Sequence, residues 1–203
     1  MSAATDRLVW IDCEMTGLDL STDELVEVAV VVTDYDLKPV DPGFDIVIRP
    51  SDSALLQMNQ VVREMHTASG LLEALPGGVT LGDAEAQLLE YLQRFTTAGQ
   101  APIAGNTIGT DRSFLARFMP RLDAHLHYRS VDVSSVKELA KRWYPRVYYN
   151  APAKHGGHRA LADILESIRE LDYYRRTVFV GLPGPSSDQA QAAASSTVEA
   201  FAL

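Results

Sequence analysis

In the stretch WIDCEMTGLD (Trp10–Asp19) two carboxylates, Asp12 and Glu14, interrupt what otherwise reads as a buried strand. Residues i and i+2 of a strand project from one face, roughly 6.5–7 Å apart. The two acids therefore share a face, and Cys13 takes the other. Two like charges on one face repel and are costly to desolvate, and a cation between them offsets both. Hard oxygen donors with no His/Cys cluster beside them suit Mg²⁺ or Mn²⁺ over zinc. The plain alternative is a strand end that emerges into solvent. Two later acids favour the metal reading. Asp111 follows the short apolar segment APIAGN (Ala101–Asn106) at a helix start. Asp163 lies among Leu161, Ala162, Ile164 and Leu165 early in a helical stretch, where the helix dipole alone would also favour an acid. His158 precedes Asp163 by five residues, about 140° around a regular helix, so it is expected on the Gly156-Gly157 lead-in, reaching over the site. Histidine, with an unperturbed pKa of about 6.5, suits proton removal near neutral pH. His155 is the competing histidine.

The elements that must position these residues can be read in outline. Residues 8–15, 24–37 and 43–50 have the β-branched and alternating character of three strands, the last two joined by Asp41-Pro42-Gly43, and form an antiparallel meander. Residues 53–75 are of mixed helical character, and Leu81, Ala84, Leu88, Leu92 and Phe95 make a helical stripe. A short buried strand at 101–106 leads to a helix capped by Thr110 or Asp111 and ending at Pro120. HYRSVDV is a fifth strand, Ser134 and Ser135 can cap the helix VKELAKRWY, and residues 158–176 form the last long helix. The order predicts an α/β fold with a mixed sheet. The Gly-, Pro-, Ser- and Ala-rich residues 181–203 are expected to be a flexible tail after a domain spanning 1–180.

The segments DCEMTGL, GNTIGTD and HRALAD resemble, in order, the three motifs of the DEDDh exonuclease family. EMHTASGL, LHYRSVDVSSVKELAKRWYP and the run following His158 are similar to those of the oligoribonuclease group within it, and the resemblance covers about residues 7–180. It implies a ribonuclease H-like fold, a five-stranded mixed sheet flanked by helices. It implies two divalent metal ions, Mg²⁺ or Mn²⁺, held by Asp12, Glu14, Asp111 and Asp163. Asp12 would bridge both, Glu14 and Asp163 would serve the side of the attacking water, and Asp111 the side of the leaving 3′ oxygen. His158 would be the general base, preferred to His155 because its spacing to Asp163 matches the family. The implied activity is 3′→5′ exonucleolytic cleavage of very short single-stranded RNA, down to dinucleotides, releasing nucleoside 5′-monophosphates, by a homodimer.

The same resemblance implies a substrate pocket. Leu18 would wedge between two bases and His66 would pack beside one. Tyr128 and Arg129, with Ser134, would close around the 5′ phosphate, Tyr128 reaching across the dimer; a guanidinium suits a phosphate through bidentate pairing. Thr107 stands where many relatives have serine and keeps the hydroxyl, whereas Val61 stands near an aromatic of some relatives, so base stacking there is expected to be weaker or supplied by another residue. The aromatics Trp143, Tyr144, Tyr148 and Tyr149 in a basic stretch are assigned to core or interface ahead of RNA contact.

Composition bounds these readings. A length of 203 residues with 46% hydrophobic content suits one domain with a sizeable core. No run of 18 apolar residues is present, the N-terminus lacks the pattern of a signal peptide, and Cys13 is the single cysteine, so a cytoplasmic protein without disulfides or membrane span is expected. The net charge of −9 disfavours a grip on a long polyanion. Residues 1–90 carry 4 Lys/Arg against 17 Asp/Glu, while residues 91–180 carry 14 against 8. Such asymmetry is compatible with metal ions on one side and a few phosphates on the other. The alternatives are a related exonuclease acting on DNA or on longer RNA 3′ ends, and a non-catalytic nucleotide-binding module.

Overall fold

The computed structural model describes residues 6–154 and 157–201. Strands β1 (Leu8–Met15), β2 (Leu25–Thr33), β3 (Phe44–Val47), β4 (Pro102–Gly105) and β5 (His127–Asp132) form one sheet in the order β3-β2-β1-β4-β5. The meander β1-β2-β3 is antiparallel, and β4 and β5 add to it in parallel. The helices are α1 (Asp52–Gln57), α2 (Gln60–Ala68), α3 (Leu71–Ala74), α4 (Leu81–Gln93), α5 (Gly109–Phe118), α6 (Pro120–His125), α7 (Val133–Trp143), α8 (Pro145–Tyr149), α9 (Ala160–Thr177) and α10 (Ser187–Ala200). The mixed sheet is the one expected from the order of the elements, and its five strands flanked by helices are what the family resemblance implies.

The alternation of β1 divides the core in two. Val9, Ile11, Cys13 and Met15 join Val28, Val30 and Val32 in a cluster sealed by Leu88, Leu92, Phe114 and Leu115 of α4 and α5. Leu8 and Trp10 face the other way, with Ala29 and Val31, onto Ala160, Ile164 and Ile168 of α9. Asp12 and Glu14 continue this second face. The apolar surface that α9 covers thus turns acidic where α9 begins, which explains why acids follow Trp10 and Ile11 in a strand otherwise built for the core.

Several local readings change. Helix α5 begins at Gly109 after Ile108 with no side-chain cap, so neither Thr110 nor Asp111 caps it. The cap of α7 is Asp132, whose carboxylate accepts from Ser134 N–H, and neither Ser134 nor Ser135 has that role. Residues 53–75 divide into α1, α2, α3 and a 3₁₀ turn because Met58–Asn59 and Ser69–Gly70 interrupt them. Asn59 then caps α2 through Val62 N–H. Within 181–203 lies α10, started by a reciprocal capping box of Ser186 and Gln189, with no buried residue among those described.

Candidate active site

Asp12 and Glu14 leave β1 side by side, opposite Ala29 and Glu27 of β2. Strand β4 pairs with β1 only at Val9 and Trp10, so the next outward-facing amide on that edge, Cys13 N–H, needs another acceptor. Asp111, in the first turn of α5, supplies it: its Oδ1 accepts from Cys13 N–H at 2.9 Å. The β4–α5 turn makes this reach possible. A Cβ on Gly105 would lie 3.0 Å from Ile11 O and 2.9 Å from Ile108 Cδ1. Thr107 adopts a left-handed backbone (φ 54°), rare for a β-branched residue. Thr107 N–H donates to Asp132 Oδ1 (3.0 Å) and to Ser134 Oγ (2.9 Å), which holds the turn in place.

From the third direction, α9 brings Asp163 in its first turn, and His158 stands just before the helix. Ligand atoms of Glu14, His158 and Asp163 all lie within 4.8 Å of one another. One cleft of about 420 Å³ is lined by all four acids and His158. His155 lies outside the described residues.

The electrostatics of this cluster are those of acids crowded together and shielded from water. Burial first, then the charges of Asp111, Glu14 and Asp163, push the Asp12 carboxyl up to about 9. Burial, followed by Asp163 and Glu27, raises Glu14 to about 7. Burial raises Asp111 to about 6, against the opposing pull of the Cys13 N–H bond. Asp163 is also raised by burial, with His158 acting the other way. Four converging carboxylates, with oxygen donors and strained ionisation, fit hard divalent cations of the Mg²⁺ or Mn²⁺ type. Among the described lining residues the one Lys or Arg is Lys154, whose ammonium is paired at 2.6 Å with Glu170.

The expected substrate residues are distributed unevenly. Leu18 lines the cleft from a loop and is 75% exposed. The loop is shaped by Asp23, which bonds Thr16 Oγ1 and Asp19 N–H and leaves no room for a Cβ at Gly17. Thr107 also lines the cleft, and its hydroxyl lies 3.0 Å from Ser134 Oγ. His66 has no exposed surface. Its Nε2 faces Met15 O at 2.8 Å, and its Nδ1 stands 3.9 Å behind Glu14 Oε2, so it backs the acid and does not line the cleft. Val61 is exposed on α2. Tyr128 and Arg129 lie outside the cleft lining. The β4–β5 register passes from His127 directly to Ser130, leaving both residues in a bulge. Strict alternation fails there, and the Arg129 guanidinium sits 5.1 Å over the Tyr128 ring. Trp143, Tyr144 and Tyr149 are exposed, which removes them from the core.

Sequence reasoning missed a layer behind these groups. Asn106, after β4, donates to Ser167 Oγ (2.8 Å) and Glu170 Oε2 (3.1 Å) on the Asp163 face of α9. Glu27 was read as part of an ordinary strand, although an acid within ELVEVAVVVT, at the parity of Glu14 in a meander, was a signal.

A family model for exonucleases of the RNase T type matches residues 9–171. The oligoribonuclease of Leifsonia xyli is 68% identical over 98% of this chain and 97% of its own. That of Streptomyces coelicolor is 62% identical over 95% and 97%. Among solved structures, Escherichia coli exonuclease I in its zinc-bound complex with single-stranded DNA superimposes with TM-score 0.66 at 15% identity, over 85% of this chain and 41% of that one. Exonuclease I of Methylocaldum szegediense does so with TM-score 0.60 at 17% identity, over 85% and 41%. The chain spans about two fifths of those larger enzymes, and the likeness establishes a shared ribonuclease H-like fold. With the family model covering most of its length and full-length relatives this similar, the chain belongs to the oligoribonuclease family of exonucleases.

Proposed function

We propose that this exonuclease removes nucleoside 5′-monophosphates from the 3′ ends of very short RNA, down to dinucleotides, using two divalent cations held by Asp12, Glu14, Asp111 and Asp163. The observation that carries the reading is the convergence of four acids and His158 on one cleft. Its volume of about 420 Å³ lies in the range of small-ligand sites, about 300–1,000 Å³. The 62–68% identity to oligoribonucleases along nearly the whole chain supports the substrate class.

The cations, when bound, supply positive charge at the scissile phosphate and lower the pKa of a water. The chain's residues do the rest. Asp12, Glu14, Asp111 and Asp163 would hold the cations, Glu14 and Asp163 lying next to His158 and Asp111 reaching in beside Cys13. His158 takes the proton of the attacking water, and Asp163 beside it stabilises the cationic imidazole that results. Leu18 overhangs the cleft and packs on a base. Thr107 and Ser134 present a pair of hydroxyls for a terminal phosphate, with Arg129 and Tyr128 beyond them. The exposed Tyr128, Trp143 and Tyr149 support pairing of two copies into a homodimer. Among the described residues no helix is long and apolar enough to cross a membrane, and we place the enzyme in the cytoplasm.

The test is a series of labelled RNAs of two to about ten nucleotides with Mg²⁺ or a chelator, a two-cation site being abolished by chelation. Mononucleotide release that is fastest on dinucleotides and absent with chelator is expected. Preference for the longest RNA, or for DNA, overturns the substrate assignment, and chelator-resistant release overturns the metal site. His158→Ala is expected to lower turnover by about 10²–10⁴-fold, the usual contribution of a general base, with dinucleotide affinity nearly intact.

A further inference from the structure

Glu27 is 1% exposed in the middle of β2, a strand buried along its whole length. An acid in such a position persists only when its charge is paired and its oxygens are hydrogen-bonded. Its partners are two consecutive residues far along the chain. Arg159 Nε (2.9 Å) and Nη2 (2.7 Å) donate to Oε1, and Ala160 N–H (3.0 Å) donates to Oε2. Arg159 also approaches the half-exposed Asp45, at 3.9 Å.

Those two residues follow His158 directly. His158 has a left-handed backbone (φ 47°), a conformation that persists in a non-glycine residue when its surroundings hold it. Helix α9 begins at Ala160 with no side-chain cap from its own N-cap residue. Glu27 fills that place from across the fold, accepting one of the N–H groups that a helix start leaves unpaired. Asp163 sits a turn further in, where Ile164 and Ile168 hold the helix on the sheet. Its backbone N–H is bonded to Arg159 O.

We propose that Glu27 and Arg159 form a positioning clamp that acts through His158, fixing the backbone from which the imidazole reaches Glu14 and Asp163. The inference rests on the reading of His158 as the general base. The clamp touches no substrate. Its work is to hold a base beside two acids without leaving the turn to the preference of the chain.

Glu27→Ala would strand Arg159 without a partner, so the main variant is Glu27→Met with Arg159→Met, which removes both charges together and leaves Ala160 N–H without its acceptor. Removing both charges avoids leaving one member of the pair uncompensated, Glu27 being buried and Arg159 partly exposed, and melting temperature reports what the lost Ala160 N–H bond costs. Glu27→Gln, which keeps one acceptor oxygen, provides a milder companion. Each is made with His158 intact and with His158→Ala. Melting temperature, Mg²⁺ affinity by calorimetry and single-turnover rates on a dinucleotide are read. With His158 present, the double Met variant is expected to lose roughly 10–100-fold in kcat, within the range of a general base, and Glu27→Gln less. KM and Mg²⁺ affinity are expected to stay within about twofold. On the His158→Ala background the same changes should have no further effect, because residues acting as a unit are non-additive. A folded Met variant with full kcat, or an equal further loss without His158, overturns the clamp while leaving the base assignment standing. A His158→Ala enzyme of undiminished rate overturns the base assignment and the clamp with it.

Discussion

Asp12 is the residue on which the site turns, and its ionisation can be read in stability. Its carboxyl is raised to about 9 in the folded, metal-free chain, and that of Glu14 to about 7, against about 4 for both when unfolded. The folded state then holds protons that the unfolded chain releases. These acids favour folding most below about pH 4, and their contribution is lost as pH rises through about 7 and then 9. With chelator, melting temperature is therefore expected to fall between pH 5 and pH 9. Mg²⁺ should largely abolish the fall and release protons on binding, because its ligands must be deprotonated. Scanning fluorimetry with and without Mg²⁺ checks this, and a flat chelated profile contradicts it. Asp12→Asn mimics the protonated acid. It is expected to raise the chelated melting temperature at pH 8 by a few degrees, where about 1 kcal/mol corresponds to roughly 2–4 °C in a chain of this size, while eliminating turnover. The acids were legible in the sequence because i, i+2 spacing is a local rule. Glu27, and the link of Asp111 to Cys13, were not, because their partners lie across the fold and belong to no motif.

The β4–α5 connection is the element that converts a parallel strand into a ligand arm. Gly105 packs against the backbone of Ile11, and Gly105→Ala must push β4 away from β1. Overpacking of this kind is expected to cost about 1–3 kcal/mol and to weaken Mg²⁺ affinity through Asp111. Urea unfolding and calorimetry measure the two effects, and a loss of stability with unchanged Mg²⁺ affinity would separate the turn from the site. The strands and main helices were legible as segments, β1 and β2 from apolar, β-branched runs and α4 from its helical stripe, whereas the order of the strands in the sheet, β3-β2-β1-β4-β5, was not. Element ends were less so. Thr110, Asp111, Ser134 and Ser135 all have residue types that cap helices, yet Asp111 serves the site, Ser134 joins Thr107 and Asn106, and Asp132 caps α7. A short polar side chain satisfies whichever backbone group tertiary structure brings to it. Likewise nothing in HYRSVDV announces the bulge, which depends on where Pro102 ends its pairing with β5.

At the scale of the whole molecule, the exposed bulge residues Tyr128 and Arg129 are where one chain's cleft would meet another chain. If Tyr128 completes the partner's site, Tyr128→Ala and His158→Ala chains, each a poor enzyme, should recover part of the activity when mixed. One site of the mixed dimer then carries both defects and the other neither. Absence of recovery with heterodimers demonstrated by mass spectrometry would confine Tyr128 to its own chain or to packing. The charge asymmetry legible in the sequence is not what meets in the cleft: there the acids of β1 face acids at the starts of α5 and α9, Asp111 and Asp163. That meeting has a consequence for synthesis. The site takes Asp12 and Glu14 from β1, and His158 and Asp163 from the lead-in and first turn of α9, far later along the chain. A growing chain carries Asp12 and Glu14 well before His158 and Asp163, and it assembles the whole cluster only once α9 has been made and has docked. On the proposed site, a fragment that stops before α9 would carry Asp12, Glu14 and Asp111 without the partners that close the cluster, and it is expected to be inert.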